Sequence, residues 1–245
     1  MTDGFGKFFD EIRAALGPLP PKKRRWKPPV GPVVEFPSTL VLTDTERHVI
    51  EFISRSRYNH DRQAGIQDQR VQEDLHGWVR DLYGFAAEYV FAKAVGVMAD
   101  FDTKPRSGGV DAKLVSDITV DVKGTSHATG RLICPLKDTQ KLAADIFVLV
   151  TVEMPITRDG RQILHEPAGG TVQGWAWAED LLDPRAVRGL RKRDNGDVVD
   201  TYVISRSALF RTLPLTTRPR REDYPCVHDL KADPGVDRAL GGLVD

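Results

Sequence analysis

The stretch "SGGVDAKLVSDITVDVKGT", residues 107–125, alternates apolar and polar residues in two short runs that are separated by residues 115–117. Such alternation predicts two half-buried strands joined as a hairpin. A three-residue loop opposes Asp111 to Asp121, whereas a two-residue loop opposes Asp111 to Val122. Because only the three-residue loop collects the apolar side chains on one face, the sequence predicts a hairpin with two opposed carboxylates on its other face.

The polar face of this hairpin also carries Lys123, which shares a face with Asp121 because side chains alternate along a strand. Directly opposed residues have Cβ atoms roughly 5 Å apart, and two carboxylates at that distance repel each other unless a cation lies between them. Magnesium and manganese prefer oxygen ligands, and the carbonyl of Val122 can add one. We therefore predict a Mg²⁺ or Mn²⁺ site at Asp111, Asp121 and Val122. The alternative is a solvent-exposed face of mixed charge.

A long helix is predicted before the hairpin, from about Glu73 to Val95, with Gly96 as its stop signal. Its apolar stripe consists of Leu75, Trp78, Leu82, Phe85, Tyr89 and Ala92. Glu88 lies at the edge of this stripe, from which its carboxylate can reach a metal held by the hairpin. The alternative is a glutamate at the helix margin that extends into solvent.

The remaining sequence predicts further strands and helices. An earlier helix is capped by Thr43 or Asp44 and is followed by a polar loop at residues 59–70. After the hairpin we predict a short strand ("RLICP"), a brief helix ("LKDTQKLAA"), a central strand ("DIFVLVTVE"), a strand entering a helix ("TVQGWAWAEDLL") and a late strand ("VVDTYVIS"). This order of elements predicts an α/β fold.

The composition of the chain excludes several classes of protein. With 40% hydrophobic and 29% charged residues among 245, the chain has an ordinary globular composition. Its two cysteines, Cys134 and Cys226, are too few for a disulfide framework. A formal net charge of +0 means that affinity for an anionic polymer must come from local patches. No run of about 18 apolar residues occurs, so we expect a cytoplasmic protein without membrane contacts.

The N-terminal residues 1–38 are predicted to lie outside the folded domain, which we place at residues 39–215, followed by a tail at 216–245. The segment begins with a short amphipathic stretch suited to a protein partner and continues as a proline-rich linker. Within the linker, a basic run surrounds one aromatic residue: Lys22, Lys23, Arg24, Arg25 and Trp26. Such a run can contact phosphates and stack on a base, and the alternative is a solvated tail.

The order of acidic residues and lysine resembles that of the PD-(D/E)xK nuclease superfamily, which has the restriction-endonuclease-like fold. The matching positions are Glu88, Asp111, Asp121 and Lys123, and the resemblance covers roughly residues 73–153. Val110 stands where the family name has proline, which departs from the motif without affecting a ligand. The resemblance implies an αβββαβ core in which helices flank a mixed central sheet.

This resemblance implies hydrolysis of DNA phosphodiester bonds with Mg²⁺ or Mn²⁺ as cofactor, with Lys123 orienting the attacking water or offsetting charge on the phosphate. His127, Gln140 and Lys141 are further predicted DNA contacts. The alternative is a noncatalytic nucleic-acid-binding or structural member of the same fold within a larger complex. The mode of cleavage, as an endonuclease or an exonuclease, and the oligomeric state, with a homodimer as one option, are left open.

Overall fold

The computed structural model describes residues 32–66, 77–103, 110–135, 144–157, 160–181, 183, 187–192, 198–204 and 208–227. The predicted DNA contacts of the basic run, together with Gln140 and Lys141, lie outside the described residues, as do most of the predicted brief helix and the start of the long helix. No helix of the described part of the chain is long and apolar enough to cross a membrane.

Three α-helices, ten strands and a short 3-10 helix (Arg221–Asp223) make up the regular elements of the described residues. The helices are α1 (Asp44–Gln63), α2 (Gly77–Val95) and the short α3 (Ala178–Leu181). The strands are β1 (Val33–Glu35), β2 (Ser38–Leu42), β3 (Ala112–Lys113), β4 (Thr119–Thr125), β5 (Leu132–Pro135), β6 (Ile146–Glu153), β7 (Ala168–Trp177), β8 (Val187–Lys192), β9 (Val198–Ile204) and β10 (Thr212–Pro214).

Helix α1 begins where the sequence predicts it. Thr43 caps its N-terminus in a reciprocal capping box with Glu46, whose carboxylate accepts the Thr43 N–H at 2.7 Å. The prediction of a loop at residues 59–70 is wrong at its start, because α1 continues to Gln63. A tertiary contact accompanies this extension: the Nδ1 atom of His60 lies 2.6 Å from the carbonyl oxygen of Thr103.

The central sheet is mixed and has five strands in the order β2-β7-β6-β4-β3. Strands β4 and β6 pair in parallel, and the other neighbours pair antiparallel. The predicted strand "RLICP" forms as β5, but in a separate three-stranded sheet of order β5-β9-β8 rather than in the central sheet. Both edges of β4 are already occupied, by β3 and β6, so that no edge of β4 is left for β5.

Helix α2 packs across one face of the central sheet. A Cβ atom added at Gly124 would lie 2.8 Å from the Cβ of Ala87, and one added at Gly170 would lie 3.2 Å from Val90. Because side chains alternate along a strand, Asp121 and Lys123 lie on the opposite face from Gly124. The helix ends at Gly96, which has a φ of 72°, as predicted. The predicted mixed sheet flanked by helices is therefore present.

Both ends of the described chain pack against the body. Residues 33–38 fall within the predicted linker, yet β1 pairs with β10 and Phe36 is buried. In the predicted tail, Val227 is fully buried and its N–H donates to Asp180, a buried carboxylate that also accepts from Arg221. Short strands and buried contacts of this kind give weak local signals, because their partners are distant in sequence.

Candidate functional site

The hairpin of β3 and β4 has the register that its apolar pattern predicts. The ladder contains two pairs, Ala112 with Val120 and Lys113 with Thr119. The ladder ends at Ala112, and the predicted opposition of Asp111 to Asp121 stays a prediction, because the Asp111 N–H bonds to the carbonyl of Val120. The connecting loop is residues 115–117, and its last residue, Asp117, has a φ of 62°, a left-handed conformation that aspartate tolerates better than most residues.

Asp111 extends the hairpin beyond the end of β3. Its N–H donates to the Val120 carbonyl at 2.8 Å, and its Oδ2 atom accepts the Val122 N–H at 2.7 Å. The N–H and carbonyl of one strand residue point towards the same neighbouring strand. The Val122 carbonyl therefore points to the side of β4 on which the Asp111 carboxylate is held. The predicted metal site needs these two oxygen ligands on the same side of the strand.

Asp121 and Lys123 form an ion pair on the face of the sheet opposite to α2. The Lys123 ammonium lies 2.8 Å from Oδ1 and 2.9 Å from Oδ2 of Asp121. The Asp121 side chain is 11% exposed and that of Lys123 is 30% exposed, so the pair is largely buried but reachable from solvent. The ring of Phe147 lies beneath the ammonium, with its centroid 5.6 Å away.

The surroundings of Lys123 favour its charged form. Burial by itself would lower the pKa of the ammonium, but the negative charge of Asp121 and its hydrogen bond, with smaller contributions from Cys134 and Asp111, outweigh burial and raise the pKa above its ordinary value. Lys123 is therefore a permanent cation at neutral pH. It can donate hydrogen bonds to an anion but cannot serve as a general base.

Glu88 does not join these three residues. Its carboxylate accepts two hydrogen bonds from Nη1 of Arg57, at 3.2 and 3.0 Å, and both side chains are 13% exposed. The other two guanidinium nitrogens of Arg57 also donate: Nη2 to the carbonyl of Asp100 and Nε to the carbonyl of Asp102. Since α2 covers the face of the sheet opposite to Asp121, Glu88 and the hairpin pair belong to different layers. Its predicted contact with a metal at the hairpin is untested.

The oxygen atoms at the hairpin fit a small, hard cation. Magnesium is commonly bound by one or two carboxylates, with water and substrate phosphate supplying its remaining ligands. Asp111 and Asp121 supply two carboxylates, and the Val122 carbonyl is a further oxygen. Among the described residues no group of three or more histidine, cysteine, aspartate or glutamate side chains is arranged to hold a metal. A metal held by Asp111, Asp121 and the Val122 carbonyl would complete its coordination with oxygens of water or substrate.

Of the predicted DNA contacts, the described residues include His127. It lies exposed in the loop that follows β4, and its N–H donates to the Thr125 hydroxyl at 3.2 Å. This places His127 two residues beyond the end of the strand that carries Asp121 and Lys123, on a surface that solvent reaches.

Two neighbours of the site were not predicted. The parallel pairing of β6 with β4 places Phe147 beside Asp121. The Phe147 ring therefore lies beneath the Lys123 ammonium. Cys134 is fully buried on β5 and contributes to the electrostatics of Lys123. The alternation in "DIFVLVTVE" is compatible with Phe147 on either face, so only knowledge of the strand pairing identifies it.

Comparisons with models of protein families, with curated proteins and with solved structures give no match for this chain.

Proposed function

We propose that the protein is a divalent-metal-dependent nuclease that hydrolyses phosphodiester bonds of DNA. The observation that carries this proposal is the meeting of the Asp111 carboxylate, the Asp121 carboxylate and the Lys123 ammonium at one end of the β3–β4 hairpin. Structural ion pairs need one acid for one base. Here a second carboxylate, that of Asp111, is fixed close by through the Val122 N–H and adds to the negative potential at Lys123, an environment suited to a metal cation.

In this proposal Asp111, Asp121 and the Val122 carbonyl hold Mg²⁺ or Mn²⁺, which when bound supplies Lewis acidity towards a phosphate oxygen and water. Hydrolysis forms a bond between the water oxygen and phosphorus and breaks the bond to the leaving oxygen; the water gives up a proton to solvent, and the leaving oxygen takes one up from solvent. Lys123 donates hydrogen bonds to the phosphate, where negative charge grows in the transition state. Asp121 keeps Lys123 protonated and oriented for this role.

The proposal is tested by incubating purified protein with plasmid, linear duplex and single-stranded DNA in the presence of magnesium, manganese or a chelator. We expect cutting with either metal and none with the chelator. Asp121→Asn should abolish cutting. Asp117→Asn is the matched control, because Asp117 lies in the loop of the same hairpin and pairs with Lys113 at the protein surface.

Two outcomes contradict the proposal. If the folded wild-type protein cuts none of these substrates with either metal, the noncatalytic alternative replaces it. If Asp121→Asn and Asp117→Asn preparations cut equally well, the activity comes from a contaminating nuclease.

A further inference from the structure

Four threonines form a continuous row across the central sheet, on the face that also carries Asp121 and Lys123. The threonine row consists of Thr125 on β4, Thr151 on β6, Thr171 on β7 and Thr39 on β2. The ladders pair Thr125 with Thr151, Thr151 with Thr171, and Thr171 with Thr39. Neighbouring strands are about 4.8 Å apart, so the row is roughly 14 Å long.

Two hydroxyl groups of this row bond to each other, while the Thr151 hydroxyl donates to the backbone carbonyl of Thr171 at 3.3 Å and accepts from a buried amide. Thr39 and Thr171 share a hydrogen bond of 2.9 Å between their hydroxyl oxygens. One of these hydroxyls donates and the other accepts, so the acceptor's own proton is left for a second partner. Thr151 accepts from Nε2 of Gln173 at 2.7 Å.

Gln173 is a buried neighbour of the threonine row that positions one of its hydroxyls. Its side chain is 2% exposed, yet its Oε1 atom has no hydrogen-bond partner within the protein. A buried amide that is only partly satisfied costs stability. The Nε2 atom of the same amide donates to the Thr151 hydroxyl and fixes its position.

The sheet face around the threonine row is open, whereas the adjoining half is covered. Beyond the row, Val41 is 69% exposed and Glu153 is exposed. In the other direction, Phe147 and Leu149 of the same face are buried. Lys123 immediately precedes the row along β4 on this face, at the border between the two halves.

The loop that follows β4 lies against the first threonine of the row. Gly130 packs so closely on Thr125 that a Cβ atom added to the glycine would overlap the threonine side chain. The loop carries two exposed groups that can be cationic, His127 and Arg131. Hydroxyl donors on the sheet and cations on the adjacent loop together suit an anionic, extended ligand.

We propose that the threonine row binds the phosphodiester backbone of a nucleic-acid strand and leads it to Asp111, Asp121 and Lys123; this inference rests on the proposed function. Phosphate oxygens are acceptors only, which matches the unused hydroxyl proton of the Thr39–Thr171 pair. A row of this length can contact successive phosphates of one strand. Glu153, two residues beyond Thr151 on the same face of β6, bounds the row on that side because its carboxylate repels phosphate.

The test compares binding by a double variant that lacks two hydroxyls, Thr39→Val with Thr171→Val, and by the matched variant that keeps them, Thr39→Ser with Thr171→Ser. Fluorescence anisotropy with labelled single-stranded DNA and RNA of one sequence, in chelator, measures affinity without cleavage. We expect the valine variant to bind roughly 10-fold more weakly and the serine variant to bind within about 3-fold of wild type. Thr216→Val, at an exposed threonine away from the row, should bind like wild type.

The results separate this inference from the proposed function. Weakened binding by the folded valine variant supports the threonine row even if the wild-type protein cuts no DNA. Wild-type affinity in the valine variant overturns the inference even if the wild-type protein cuts DNA, and so does a wild-type protein that binds neither oligonucleotide. Circular dichroism and the Tm confirm that each variant is folded. The oligonucleotide that binds the wild-type protein more tightly, DNA or RNA, identifies the preferred type of strand.

Discussion

The ammonium group of Lys123 contacts both carboxylate oxygens of Asp121, at 2.8 and 2.9 Å, while the neighbouring Asp111 carboxylate is held by the N–H of Val122 at 2.7 Å. Both carboxylates contribute to the negative potential at the Lys123 ammonium, Asp121 more than Asp111. Removing Lys123 leaves an acidic pair, whereas removing Asp121 leaves a largely buried cation. The two changes should have different effects on metal binding, although both should stop cleavage.

Lys123→Ala is expected to lower the rate of cleavage by about 100-fold or more, because a fixed donor to the phosphate is lost. Manganese binding, measured by calorimetry, should persist or strengthen, since no cation competes for Asp121. Lys113→Ala is the control on the same hairpin, where the lysine is 62% exposed. Equal losses of cleavage in the two variants would show that the hairpin as a whole, rather than Lys123, is required.

The stabilising effect of Lys123 should disappear at alkaline pH. The pKa of Lys123 is raised in the folded state above the unfolded value of about 10.4. Such a lysine stabilises the folded protein, and its contribution is fully present below the unfolded pKa. The contribution is lost as pH rises through the folded-state pKa. The difference in unfolding free energy between wild type and Lys123→Gln, measured by urea denaturation, should therefore be constant from pH 7 to 9 and shrink above about pH 10.4. A difference that grows with pH would contradict this.

Glu88→Gln is expected to destabilise the protein by about 2 kcal/mol, because it weakens a largely buried pair with Arg57. In protein that remains folded, we expect cleavage close to that of wild type, since Glu88 lies in a different layer from the hairpin. Urea denaturation and plasmid cleavage measure the two effects separately. Loss of cleavage without loss of stability would instead place Glu88 at the metal, as the resemblance implies.

Arg57→Met combined with Glu88→Met provides the companion measurement. Replacing both partners removes the uncompensated charge, so the double variant should be more stable than either single variant. Additive losses would mean that Arg57 and Glu88 act independently, with Arg57 important mainly for its bonds to the carbonyls of Asp100 and Asp102.

Gly124→Ala should lower the unfolding free energy by about 1–3 kcal/mol. Its new Cβ atom would lie 2.8 Å from the Cβ of Ala87 and 2.9 Å from the carbonyl oxygen of Tyr83, so α2 has to move. Gly84→Ala is the matched control on α2, because a Cβ atom there meets nothing within 4 Å and alanine favours a helix. If both variants unfold at the same urea concentration, the close packing of α2 on β4 is not a constraint.

The parts of the site that the sequence predicts are those fixed by local chemistry. The hairpin register follows from alternation over a few residues and from a three-residue loop, and the starts and stops of helices follow from Thr43 and Gly96. These signals act within one turn or one hairpin. They place Asp111, Asp121 and Lys123 together without any knowledge of the remaining fold.

Contacts between distant residues were not predictable in the same way. Glu88 has an apolar neighbourhood that is compatible with a metal ligand, and only the fold reveals that Arg57, on another helix, binds it. The strand β5 has a clear β pattern, but its sheet depends on which edges other strands have already taken. The threonine row needs three ladders at once, one parallel and two antiparallel.

The pairing of β2 with β7 has a consequence for biosynthesis. Thr39 and Thr171 are 132 residues apart in the chain, and the ladder gives β2 no other partner among the described strands. At a synthesis rate of about 5–20 residues per second, β2 waits about 7–26 s on the ribosome before β7 emerges. During that interval its backbone and the apolar side chains of Leu40 and Leu42 are without their native neighbours. Slow translation before residue 177 therefore lengthens the period in which the nascent chain is prone to aggregate.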